Sequence, residues 1–211
     1  MIKNSNWITK IAVLMWVLPL SCTATTDTAG QYEQPGIEPE RVLIVYVSRT
    51  NNTKAVAGII HKQVGGTLLA LELENPYPEH YQTTVDQVAE ENRRGYLPPL
   101  KTKVEDIAKY DVLFIGFPTW GMQLPPPMKS FLSQHDLSGK IVVPFNTNAG
   151  YGIGNSFETV RQLCPNSTIM EGFSTQGGKE RDGILYVMEE DKEKQVQVDV
   201  IKWLQKIQMK H

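Results

Sequence analysis

The sequence predicts an α/β fold, a parallel sheet with helices packed on both faces. Three observations predict it. Five short apolar runs, at 42–47, 67–73, 111–117, 141–145 and 168–173, alternate with segments of helical period. The runs at 42–47 and 111–117 are almost continuously apolar, as strands buried on both faces require. Polar or glycine-rich stretches at 48–53, 118–122 and 146–154 follow three of the strands, where strand-to-helix loops belong.

The elements follow in order. Residues 42–54 read Val-Leu-Ile-Val-Tyr-Val-Ser-Arg-Thr-Asn-Asn-Thr-Lys, a buried strand running straight into hydroxyls and amides. Val56, Ile59, Ile60 and Val64 then repeat at helical spacing, and Gly65 and Gly66 end that helix. A leucine-rich second strand spans 67–73 and stops at Pro76 and Pro78. Tyr81, Val85, Val88 and Ala89 mark an amphipathic helix over 79–92. Residues 93–103, with Pro98 and Pro99, form a connecting loop, and 104–109 fit one short helical turn. The third strand is 111–117, and a helix over 125–134 is opened by prolines, which a first turn tolerates. A turn at 137–140 leads to the fourth strand, 141–145. After the loop 146–154, Asn155 and Glu158 have capping-box spacing, and Phe157, Val160 and Leu163 line the helix they open. The fifth strand is 168–173. Val200, Ile201, Leu204 and Ile207 form the stripe of a last helix, with acidic 189–193 as its solvated start.

Length and composition set limits. At 211 residues one folded domain is expected, and 41% apolar with 21% charged residues is ordinary for a globular chain. The formal charge is −2, and there is no basic stripe, so nucleic acid is not an expected partner. Within residues 1–21, the first ten carry Lys3 and Lys10 but no acid, and a ten-residue apolar run at 11–20 follows that is short for a membrane span. This reads as a signal peptide for the general secretory route, since no Arg-Arg pair is present. Leu18-Pro19-Leu20-Ser21-Cys22 resembles a bacterial lipoprotein cleavage box, with Pro19 at a usually aliphatic place. Cys22 would then be the lipidated N-terminus, on the periplasmic or envelope side, and the only membrane contact. Plain secretion with later cleavage and an uncleaved anchor are the alternatives. Residues 22–40, with Gly30, Pro35, Gly36 and Pro39, form a tether, and the folded domain covers 41–211.

Right-handed crossovers bring the three loops to one edge of the sheet, where ligands of open α/β sheets bind. Ser48, Thr50, Asn52 and Thr53 place side-chain donors where a helix start also offers unpaired N–H groups, which suits a phosphate. The same residues equally fit a polar turn with an Asn or Thr cap. Neither a P-loop nor a Gly-x-Gly-x-x-Gly turn is present there; the loop has no glycine.

Three pieces of this chain resemble the flavodoxins. Ser48-Arg49-Thr50-Asn51-Asn52-Thr53 is similar to the phosphate loop of that family, usually Ser/Thr-x-Thr-Gly-Asn-Thr. Pro118-Thr119-Trp120-Gly121 resembles the loop that packs an aromatic on the flavin, and Asn146-Thr147-Asn148-Ala149-Gly150-Tyr151-Gly152 lies where a third cofactor loop is found. The resemblance implies a short-chain, FMN-binding, three-layer α/β/α flavodoxin-like fold with five strands in the order 2-1-3-4-5. It implies that Ser48, Thr50, Asn52 and Thr53 hold the phosphate and that Trp120 stacks on the ring. Thr119, Gly121 and Met122 would offer backbone groups to the ring edge. Asn146 to Gly152 would contact ring and ribityl chain, with Tyr151 as a second wall. Asn51 replaces the family glycine and tolerates left-handed geometry. The expected function is electron carriage through non-covalent FMN, with a redox protein or small electron acceptor as partner. The rivals are an FMN-dependent NAD(P)H:quinone oxidoreductase and a binding module with an empty site.

Other chemistry is thinly represented. His61, His80, His135 and His211 are scattered without metal spacing, Cys164 before Pro165 reads as a structural thiol, and no Gly-x-Ser-x-Gly elbow occurs.

Overall fold

The computed structural model describes residues 38–209. The expected signal peptide at 1–21 and the lipidation at Cys22 lie outside the described residues, as does the tether up to residue 37.

The strands are β1 (Val42–Tyr46), β2 (Thr67–Ala70), β3 (Val112–Pro118), β4 (Ile141–Asn148), β5 (Thr168–Ile169) and β6 (Phe173–Gln176). The helices are α1 (Asn52–Val64), α2 (Tyr81–Arg94), α3 (Pro126–Gln134), α4 (Ser156–Leu163) and α5 (Glu190–Lys206). All pairings between strands are parallel, in the order 2-1-3-4-5. In register, Ile44 lies beside Phe114 and Phe114 beside Val143. Because side chains alternate across a strand, the sheet has two apolar faces. Ile44, Phe114, Val143 and Phe145 pack with α1 and α5; Leu43, Leu113, Ile115 and Phe117 pack with α3 and α4. Each large side chain buried this way contributes about 1.5–3 kcal/mol.

The fifth sheet position departs from the expected single strand at 168–173. It is divided into β5 and β6, both paired with β4. Pro144 explains the division. The Val142 carbonyl accepts from the Met170 N–H, so alternate β4 residues, Pro144 included, face this position. Pro144 has no N–H to give there, and the outer strand detaches at 170–172.

The second strand is also shorter than 67–73. Beyond Ala70 the chain leaves the sheet, and Leu73 bridges Leu100 in the antiparallel sense. β4 extends three residues past 145 into the expected loop, which carries Asn146, Thr147 and Asn148 on regular backbone. Asn155 precedes α4, but its side chain makes no capping bond; its φ of −91° and ψ of 10° turn it away from the extended cap geometry.

Candidate functional site

β1 ends where α1 begins, and the turn between them requires one unusual residue. Asn51 has φ 62° and ψ −2°, the left-handed geometry expected of it. This turn aims the first backbone donors of α1 outward from the strand ends. Among the described residues no acceptor takes the N–H groups of Thr50, Asn51, Asn52 or Thr53. Two hydroxyls join them. Ser48 Oγ accepts from the Lys54 N–H at 3.2 Å and Thr50 Oγ1 accepts from Asn52 Nδ2 at 2.9 Å, so each keeps its own hydrogen to donate. Thr53 and Thr147 share a hydroxyl bond of 2.8 Å, which also leaves one hydrogen over. Free N–H groups, free hydroxyls and the positive end of a 13-residue helix together make a cradle for an anion.

The cradle opens into a cavity of about 190 Å³. Pro118, Thr119 and Trp120 form one wall, and Thr147, Asn148, Ala149 and Tyr151 form another. Trp120 packs T-shaped against Tyr77, with ring centres 5.4 Å apart and planes at 82°. The Tyr77 hydroxyl donates to the buried Glu91 carboxylate at 2.5 Å. Burial and that carboxylate push the Tyr77 hydroxyl well above the usual tyrosine range, so it stays a donor and keeps the aromatic pair in place.

The third wall was not expected. Residues 177–186 fold back over the cradle as a hairpin in which Lys179 pairs with Ile184, and Gly177, Gly178, Lys179, Glu180 and Arg181 line the cavity. A Cβ on Gly178 would lie 2.2 Å from the Leu185 carbonyl, so only glycine fits. Two side chains fasten the hairpin. The buried Asn52 amide donates to the Leu185 carbonyl at 2.6 Å and accepts from the Val187 N–H at 3.1 Å. Arg49 gives Nε to the Glu180 carboxylate at 2.8 and 3.0 Å, Nη1 to the Pro78 carbonyl at 2.9 Å and Nη2 to the Glu79 carbonyl at 2.5 Å. One guanidinium thus ties three loops together. The sequence signal was the Gly177-Gly178 pair followed by alternating charge, between the fifth strand and the last helix. Tyr81 also lines the cavity and was missed, because the helical period had already explained it as a core position.

A family model described as flavodoxin matches residues 41–190. The chain belongs to the flavodoxin family. Among solved structures, a flavoprotein from Bacteroides eggerthii is 29% identical, with TM-score 0.64 over 81% of this chain and 99% of that one. A flavoprotein from Lactobacillus acidophilus in complex with FMN is 22% identical, with TM-score 0.57 over 69% of this chain and 98% of that one, a likeness of fold. Among curated proteins, none matches the chain.

On this flavodoxin frame the expected site residues divide into two groups. Ser48, Arg49, Thr50, Asn52, Thr53, Pro118, Thr119, Trp120, Thr147, Asn148 and Tyr151 converge on the cavity. The others do not line it. Asn51 is exposed and turned to the opposite side of the loop. Asn146 is fully buried and donates to the Phe117 carbonyl and the Thr119 hydroxyl, both at 3.0 Å, so it fixes the Trp120 loop from beneath. The Gly150 and Gly152 N–H groups both donate to Asn148 Oδ1, which makes them the frame of the third loop. Gly121 faces a neighbouring cavity, and the Met122 carbonyl accepts from the Asn155 N–H. Tyr151 is 59% exposed, with Lys179 over its ring and its hydroxyl accepting from Arg181.

Proposed function

We propose that this flavodoxin binds FMN non-covalently in the crevice and carries electrons through it. The observation that carries this reading is the cradle at the start of α1. The unpaired N–H groups of Thr50, Asn52 and Thr53 and the Ser48 and Thr50 hydroxyls meet the needs of a dianionic phosphate ester, and no lining residue needs to move out of a bond to supply them. FMN, when bound, supplies one- and two-electron chemistry; the protein supplies binding and the dipoles that set its potential. Trp120, packed T-shaped against Tyr77, lines the phosphate-proximal cavity and is the aromatic partner for the flavin ring in this reading. The hairpin at 177–186 gives the cavity its third wall. The partner in this reading is a redox protein or a small electron acceptor that meets the open rim.

The test is a paired titration. Thr50→Ala should weaken FMN about ten- to hundredfold, the loss of one charge-assisted hydrogen bond, and should change riboflavin, which lacks the phosphate, by less than about threefold. Equal losses for both ligands, or no flavin absorbance after FMN titration of the wild type, would overturn the reading.

We further propose export through residues 1–21 and lipid attachment at Cys22. The charged start, the short apolar run and the cleavage-box resemblance support it. Radiolabelled palmitate should enter the wild-type chain in a bacterial host and not the Cys22→Ser chain.

A further inference from the structure

Beyond Trp120 the crevice continues into a second cavity of about 380 Å³, which the FMN reading leaves unused. One wall is α2. Tyr81, Thr84, Val85, Val88, Ala89 and Asn92 recur at three- and four-residue spacing and form one stripe facing Trp120, Gly121 and Gln123. Such a stripe ordinarily seals against a core. Here Val85 is 37% exposed, and Val88, though buried, belongs to neither apolar layer of the sheet. The cavity is therefore apolar along one side and open.

Its polar groups are specific in kind. The three charged residues that line it are already paired, Arg49 with Glu180 and Arg93 with Glu90. Lys129 lies behind the wall and donates to Asn92 Oδ1 at 2.8 Å and to Gln123 Oε1 at 3.5 Å. An ammonium group only donates, so it holds both amide oxygens towards itself and leaves both NH2 groups free for other acceptors. Among the described residues no acceptor takes either NH2 group or the Tyr81 hydroxyl hydrogen. The cavity thus combines an apolar wall, an aromatic wall, lining charges that are each paired, and donors without acceptors.

We propose that this cavity is a binding subsite for a flat, neutral, two-ring dicarbonyl compound of the quinone class. The ring would lie between the Val85, Val88 and Ala89 stripe and Trp120, and its carbonyl oxygens would accept from Asn92 and Gln123. The proposal rests on the FMN reading only for the choice of a redox-active ring; the donor set and the apolar wall stand without it.

The probe is menadione, titrated by calorimetry and equilibrium dialysis into the full chain with and without FMN. Saturable one-to-one binding is expected in both states. Ala89→Trp fills the cavity from an exposed helix position and should weaken menadione about tenfold while leaving FMN affinity within about twofold. Asn92→Leu should weaken menadione but not 2-methylnaphthalene, which lacks the carbonyls. Circular dichroism checks each variant, and Val85→Arg closes the same cavity if Ala89→Trp does not fold. Absence of saturable binding, unchanged affinity in the filled variants, or displacement of menadione by FMN would overturn the subsite. Should FMN itself fail to bind, the electron-carrier reading falls, and the titration of the FMN-free chain still decides this proposal.

Discussion

Asn52 shows what one residue can reveal before and after folding. Its amide beside a helix start suited a phosphate, yet both ends of that amide are engaged with Leu185 and Val187. What it offers the cavity is its backbone N–H. The sequence displays which groups are present but not a competitor more than a hundred residues away. Asn52→Leu removes the partner of a part-buried carbonyl and a part-buried N–H and should cost about 1–3 kcal/mol by urea unfolding, since solvent relieves part of the loss. Asn51 was legible, because left-handed tolerance is a local property; Asn51→Val should cost about 1–2 kcal/mol and weaken FMN. Cys164 was legible too. Burial pushes its thiol up to about 11, so in a Cys22→Ser chain it should resist iodoacetamide at mildly alkaline pH and react at once in urea.

At the scale of elements, types were readable and ends were not. Apolar period separated strand from helix throughout, but the division of the fifth position depended on which way Pro144 faced, a matter of sheet register. The Gly116–Phe145 pair is of the same kind. β3 and β4 place the two opposite each other, and a Cβ on Gly116 would lie 2.1 Å from the Phe145 ring. Gly116→Ala should therefore cost about 1–3 kcal/mol, and Phe145→Leu in the same chain should recover part of it, measured as a double-mutant cycle. His135 closes α3 against Phe131, ring centres 4.7 Å apart, and burial holds its imidazole below its ordinary value. The unfolded chain takes up that proton near pH 6.5, the folded chain only at lower pH. Between those values the unfolded state binds more protons, so stability falls as pH drops below about 6.5. Urea midpoints across that range should show this slope in the wild type and a shallower one in His135→Gln.

For the whole molecule, the topology and two walls of the crevice were readable, because alternating elements and crossover handedness leave few arrangements. The hairpin at 177–186 was not, since it has no period and is defined by what it touches. Arg49 is its strongest tie, with the guanidinium and the Glu180 carboxylate each about one-fifth exposed. Arg49→Met should speed amide hydrogen exchange across 177–187 without changing exchange in β1 and β3, and FMN should slow it in the wild type. The tie between Asn52 and Val187 spans 135 residues, and it gives the protein a timetable. Strands and α1 can assemble from β1 onward while the cradle still stands open, because residues 177–187 join it only through ties distant in sequence. Tight capture of the ligand therefore reports the docking of that segment rather than the formation of the sheet.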